Sequence, residues 1–186
     1  MYKRQLQNAG IKKGDRIGVL GKNSLEYFLL YGAAAAIGAV VLPLNWRLSP
    51  DEVAFNINDC TAGTLFVGGE YQEMIEGLKD RLVSVKDYYN LKPEKGDFLD
   101  FESLTSNQGD FRREEISSDD GFVIMYTAAV AGRPRGALLS HGNILLGNMH
   151  FGYLYNLKSS DVHMNFLPLF HAGGLFMVTT SFHAGA

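Results

Sequence analysis

Two arginines, Arg133 and Arg135, sit in a stretch otherwise made of small residues, Tyr126-Thr-Ala-Ala-Val-Ala-Gly-Arg-Pro-Arg-Gly136. A loop poor in side chains lets backbone N–H groups approach an anion closely. Guanidinium groups add fixed charge and paired donors suited to phosphate oxygens. The apolar runs Phe122–Met125 and Ala137–Ser140 on either side read as strands, and His141-Gly-Asn143 opens a helical pattern. The chemistry suggested is the cradling of a phosphate by residues 126–136. A plain surface hairpin uses the same residue types, so this stretch does not decide the matter alone.

A second stretch, Asn165-Phe-Leu-Pro-Leu-Phe-His-Ala-Gly-Gly174, brings His171 into a turn before another helical pattern. Taken alone, such a histidine is more often packed or capping than catalytic. Other chemistries find little support. The five histidines and Cys60 show no metal-ligand spacing. There is no Gly-x-x-x-x-Gly-Lys-Ser/Thr loop, no Gly-x-Gly-x-x-Gly turn and no Gly-x-Ser-x-Gly elbow.

The two stretches, in this order and separation, resemble the signature motifs of the adenylate-forming (AMP-binding) enzymes: acyl-CoA synthetases, peptide-synthetase adenylation domains and luciferases. The first family pattern is Tyr/Phe-Thr-Ser-Gly-Thr-Thr-Gly-x-Pro-Lys-Gly, followed by Ser/Thr-His-x-Asn; the second is Pro-Leu/Met-Phe-His-x-x-Gly. This chain keeps Tyr126, Thr127, Gly132, Pro134, Gly136, Ser140, His141 and Asn143. It carries Ala128, Ala129, Val130 and Ala131 in place of Ser-Gly-Thr-Thr, and Arg135 in place of Lys. Upstream, Gly14-Asp-Arg-Ile-Gly-Val19, Asn23-Ser-Leu-Glu26 and Gly38-Ala-Val-Val-Leu-Pro-Leu-Asn45 resemble the family's N-terminal region.

The resemblance implies two-step acid activation. ATP and a carboxylate, a fatty or other organic acid, give acyl-AMP and pyrophosphate, and CoA then takes the acyl group. It places Thr127, Ala128, Ala129, Val130, Ala131, Gly132, Arg135 and Gly136 around the ATP phosphates. Arg135 would serve the pyrophosphate leaving group, and Thr127 is the hydroxyl left to touch phosphate. His171, with Phe170 and Gly173, would wall the carboxylate pocket. Mg²⁺ is implied with ATP, although none of these residues is a metal ligand. The implied partners are a small carboxylate and the remainder of the enzyme's own chain. Two other readings stay open: a non-catalytic homologue whose altered loop has lost ATP chemistry, and an α/β interaction domain.

The resemblance covers about Gly14 to Ala186 and matches only the N-terminal part of a family member. The chain is therefore expected to be a partial AMP-binding domain, residues 1–186, without ligase activity on its own. Composition agrees with a cored domain: 46% of the 186 residues are hydrophobic and 20% charged. A net charge of −3 gives no reason to expect nucleic acid or an anionic membrane surface. A single cysteine excludes an internal disulfide and suits a reducing compartment. With no apolar leader at the start, a cytoplasmic location is expected. The long uncharged run Tyr27–Trp46 is broken by Gly32, Gly38 and Pro43, so it reads as a buried helix then a strand, with no transmembrane segment.

The elements that must position these motifs alternate. Strands are expected at Arg16–Leu20, Ala39–Leu42, Thr64–Val67, Leu82–Val85, Phe122–Met125 and Asp161–Phe166. Helices are expected at Met1–Ala9, about Ser24–Ile37, Ser49–Asp59, Tyr71–Leu78, Asn143–Tyr155 and from Gly173 to about Phe182. Pro43–Asn45 reads as a turn. Residues 86–120 read as a surface connection with one short helix near Asp97–Thr105, and Asp119–Asp120 as a solvated strand edge. Alternation of this kind predicts an α/β fold, a mainly parallel sheet flanked by helices with right-handed crossovers.

Overall fold

The computed structural model describes residues 2–92, 97–100, 110–127 and 133–186. The longer helices begin at caps that the sequence provides. Helix α1 (Tyr2–Asn8) precedes Gly10 at φ 86°, and strand β1 (Arg16–Leu20) follows the Gly14 turn at φ 85°. Ser24 caps helix α2 (Leu25–Ile37) by accepting the Tyr27 N–H, and Gly38 ends it in the left-handed region that glycine tolerates. Helix α3 (Pro50–Asp59) opens with a reciprocal Ser49–Glu52 capping box and proline in its first turn. Hydrogen bonding to Ser49 holds the Glu52 carboxyl below its usual range.

The strands form one seven-stranded sheet. Strand β2 is Val40–Leu44, β3 Thr64–Val67, β4 Asp87–Asn90, β5 Leu99–Asp100, β6 Gly121–Thr127 and β7 Arg135–Ser140. Their order is β5-β4-β3-β1-β2-β6-β7. All neighbours run parallel except β6 and β7, an antiparallel hairpin in which Thr127 faces Arg135 and Tyr126 faces Gly136. Helices α1, α2, α5 (His141–Leu154) and α6 (Ala172–Ala184) cover one face, centred on Leu6, Tyr27, Tyr31, Ile144 and Leu175. The other face packs Val53 and Ile57 of α3 and Ile75 of the short helix α4 (Gln72–Glu76). The fold is α/β as expected, and its central parallel strands β1, β2 and β3 are buried on both faces, whereas β7 at the antiparallel edge is largely exposed.

Several sequence expectations are corrected. The fourth strand lies at Asp87–Asn90, not Leu82–Val85. Leu82 is a buried plug and Val83 is 86% exposed, whereas Tyr89 stacks on Phe66 at 5.2 Å and Tyr88 meets Phe98 at 5.4 Å. Aromatic cross-strand packing outweighs the aliphatic run. Consequently 86–120 is not a bare connection: β4 and β5 fall inside it. Asp97 and Phe98 form a bend and Leu99–Asp100 are strand rather than helix, and residues 101–105 of the expected helix lie outside the described residues. Pro43 and Leu44 belong to β2, opposite Val19 and Leu20. Pairing of β2 with β6 is registered at Val41–Val123, and Pro43 beyond it has no N–H to donate. Asp120 is not merely solvated: it takes the Ser117 N–H and pairs with Lys13 at 2.7 Å. Residues 161–166 have no regular secondary structure and pair with no strand among the described residues.

Candidate active site

In a parallel sheet all carboxyl ends open on one edge, and ligands of open α/β sheets bind there. Three connections leave β1, β2 and β6 at that edge: Gly21–Ser24, Asn45–Arg47, and the turn from Thr127 toward Arg135. Ala128, Ala129, Val130, Ala131 and Gly132, expected around the ATP phosphates, lie outside the described residues. The end of β6 packs on α3. Tyr126 donates its hydroxyl to Asp59 Oδ2 at 2.5 Å and meets the Phe55 ring edge-on at 6.4 Å. Burial, then the bond to Asp59, pushes the Tyr126 phenol well above its usual range, so it stays a donor.

The two arginines of the hairpin differ. Arg133 lies over the Phe55 ring, 5.6 Å from its centroid. Arg135 is exposed, and its guanidinium has no hydrogen-bond or ion-pair partner among the described residues. The Thr127 hydroxyl donates across the root to the Arg135 carbonyl at 3.4 Å. Gly136 has a packing reason as well as any role toward phosphate: a Cβ there would fall 2.8 Å from Ile124 Cγ2.

The second motif lies over the same edge. Phe170 meets Trp46 edge-on at 6.1 Å, and the Arg47 guanidinium sits 4.7 Å from the Trp46 ring and 5.9 Å from that of Phe170. His171 is the N-cap of α6. Its Nδ1 accepts the Gly173 N–H at 3.1 Å, so a neutral ring carries its proton on Nε2 as a free donor. Gly173 supplies that N–H. Gly174 is required by closeness: a Cβ would fall 2.1 Å from the Pro168 carbonyl oxygen. Thus the capping role that a lone histidine suggests is present, and it orients the imidazole. No hydrogen bond or ring contact among the described residues joins Arg135 to His171.

Trp46 and Arg47 were missed by sequence reasoning. The signal was an aromatic-cation pair just beyond a strand's carboxyl end, hidden because Pro43–Asn45 read as a turn. Cys60 behaves as expected of a structural thiol: its Sγ faces the Ile57 carbonyl at 3.6 Å, and burial pushes it up to about 11. No group of three or more His, Cys, Asp or Glu among the described residues is placed to hold a metal.

Comparison with known proteins follows the same lines. Residues 4–186 match the family described as AMP-binding enzyme. The chain belongs to that family. It is 33% identical over 184 residues to indoleacetate–CoA ligase of Aromatoleum aromaticum, an alignment covering 97% of this chain and 36% of that protein. It is 31% identical over 175 residues to the long-chain-fatty-acid–CoA ligase FadD13 of Mycobacterium tuberculosis, covering 92% and 34%. A crystal structure from Rhodopseudomonas palustris, of a candidate long-chain-fatty-acid CoA ligase, superposes with a TM-score of 0.93 at 38% identity. It covers all of this chain and 46% of that one. This AMP-binding chain therefore spans about a third of the length of the curated relatives it matches. No helix among its described residues is long and apolar enough to cross a membrane.

Proposed function

We propose that residues 1–186 are the first part of the AMP-binding domain of an ATP-dependent carboxylic acid:CoA ligase. The observation that carries this is the unpartnered guanidinium of Arg135 at the root of the hairpin, at the same sheet edge as the capped His171. A free cation next in sequence to a run of small residues suits the β- and γ-phosphates of ATP. When bound, ATP with its Mg²⁺ supplies the activated α-phosphorus and the pyrophosphate leaving group. Arg135 would hold that pyrophosphate as its charge develops, where a fixed donor is most effective. Thr127, engaged with the Arg135 carbonyl, would fix the hairpin root. His171 Nε2–H would donate to one oxygen of the incoming carboxylate and leave the other to attack, with the Phe170 ring as the apolar wall. The acid is an aliphatic or aromatic carboxylate, in keeping with relatives named for both.

The experiment is acid-dependent pyrophosphate exchange by the longer chain that carries this segment, across a panel of aliphatic and aromatic acids with CoA as acceptor. Exchange with at least one acid is expected; none with any acid would favour the non-catalytic homologue, whose supporting observation is the Ala128–Ala131 centre. Residues 1–186 alone should give no acyl-AMP, because the proposal assigns other parts of the site to the remainder of the chain. Robust turnover by the isolated chain would overturn that assignment.

A further inference from the structure

The loop that carries Phe170 and His171 is held by side chains rather than by a ladder. Asn23 stands between the end of β1 and the Ser24 cap of α2. Its Nδ2 donates to the Leu167 carbonyl at 2.8 Å, 144 positions away, and its Oδ1 accepts the Leu169 N–H at 2.8 Å. The buried Tyr31, on α2, donates its hydroxyl to the Leu169 carbonyl, also at 2.8 Å. Three bonds from one short stretch therefore fix the backbone on both sides of Pro168, which has no N–H to donate. The Leu169 side chain, 3% exposed, anchors the same point in the core.

From that clamp to His171 the chain has little freedom. The His171 N–H returns to the Pro168 carbonyl at 3.0 Å, and Gly174 packs against the same carbonyl. We propose that Asn23 is a positioning residue for the carboxylate site: by clamping residues 167–169 it sets the direction of His171 Nε2–H and the plane of Phe170. The inference rests on the functional reading above. An amide is needed because one planar group must both donate and accept. An aspartate keeps the acceptor for Leu169 but sets a carboxylate against the Leu167 carbonyl; an alanine does neither.

Two readouts test this. In residues 1–186, imidazole ¹⁵N–¹H correlations should show His171 shifted or broadened in Asn23→Ala and Asn23→Asp, with His141 and His150 unchanged. Tyr31→Phe should shift His171 in the same direction by less. In the longer ligase, Asn23→Ala should raise KM for the acid about tenfold while KM for ATP stays within about twofold, the scale of two lost backbone hydrogen bonds. Lys22→Ala, which breaks only the neighbouring Lys22–Glu70 pair, should change neither. Unchanged His171 signals in Asn23→Ala would overturn the proposal, as would equal rises in both KM values. If the longer chain exchanges pyrophosphate with no acid, the functional reading fails, while the His171 signals still decide the clamp.

Discussion

Arg133 and Arg135 stand two residues apart on one hairpin, yet only one is free. Arg133 is committed to the Phe55 face of α3, at 5.6 Å from the ring centroid, while Arg135 has no partner among the described residues. Packing thereby separates a cation held against α3 from one left exposed, a distinction that the sequence Arg-Pro-Arg does not make.

The first prediction follows from that difference. In the longer chain, if it has the proposed ligase activity, Arg135→Ala should slow acid-dependent pyrophosphate exchange by about 2–4 kcal/mol in the transition state, roughly 30- to 1,000-fold, with little change in acid binding. Arg133→Ala should cost about 1 kcal/mol or less, and that through stability, since an exposed cation–π contact is worth no more. Equal small effects on exchange at both positions would mean that the hairpin does not handle phosphate.

His141 gives a pH dependence of stability. It is packed on Phe122 at 5.3 Å between ring centroids, and its Nε2 is buried without a hydrogen-bond partner among the described residues. Burial depresses its pKa below the ordinary 6.5; Asp120 opposes this and Lys13 adds to it. Between the folded and unfolded pKa values the unfolded chain binds more protons, so stability is fully present above about pH 6.5 and falls on acidification. The melting temperature of residues 1–186 should drop between pH 7.5 and 5.5, and His141→Gln should flatten that slope. Asp120, whose pKa is lowered chiefly by its bond to Lys13, acts in a separate window below its ordinary 3.8. An unaltered slope in His141→Gln would remove His141 as the cause.

Gly174 is a steric requirement. A methyl group at this position would fall 2.1 Å from the Pro168 carbonyl oxygen, inside the turn that presents His171. Gly174→Ala should therefore destabilise the chain by about 1–3 kcal/mol, the usual cost of overpacking, despite alanine's better helix propensity. The urea midpoint reports this directly, and a stabilised variant would show that the first turn of α6 can move aside.

Much of the fold was legible because its signals are local. Ser24 and Gly38 bracket α2, and Ser49, Pro50 and Glu52 start α3 through contacts within three residues. The hairpin could be located because small residues and arginines interrupt two apolar runs. What was not legible depends on partners far along the chain. Leu82–Val85 has the better strand composition, but Phe66 and Phe98 select Tyr88 and Tyr89 instead. In the candidate site, His171 was visible as a motif residue. The Asn23 clamp was not, since nothing local to Asn23 foretells bonds to Leu167 and Leu169.

The segment 161–166 reads as a strand yet pairs with none among the described residues, and its side chains say why. His163 bonds to Ser181 Oγ at 2.6 Å and Asn165 to the Gly174 carbonyl at 3.2 Å, so one side of the segment lies on α6. Val162, Met164 and Phe166 alternate with them and are 99, 76 and 73% exposed. On α5, Leu146, Met149 and Tyr153 are also exposed. An alternating apolar row and an exposed apolar helix stripe both leave hydrophobic surface in water that association would cover. Residues 1–186 alone should therefore bind a hydrophobic dye and self-associate as concentration rises. Replacing Val162, Met164 and Phe166 with threonine should reduce both without lowering the melting temperature, because these side chains lie outside the core. Light scattering behind a sizing column reads the outcome, and a monodisperse monomer that binds no dye would show that this face is stable in water uncovered.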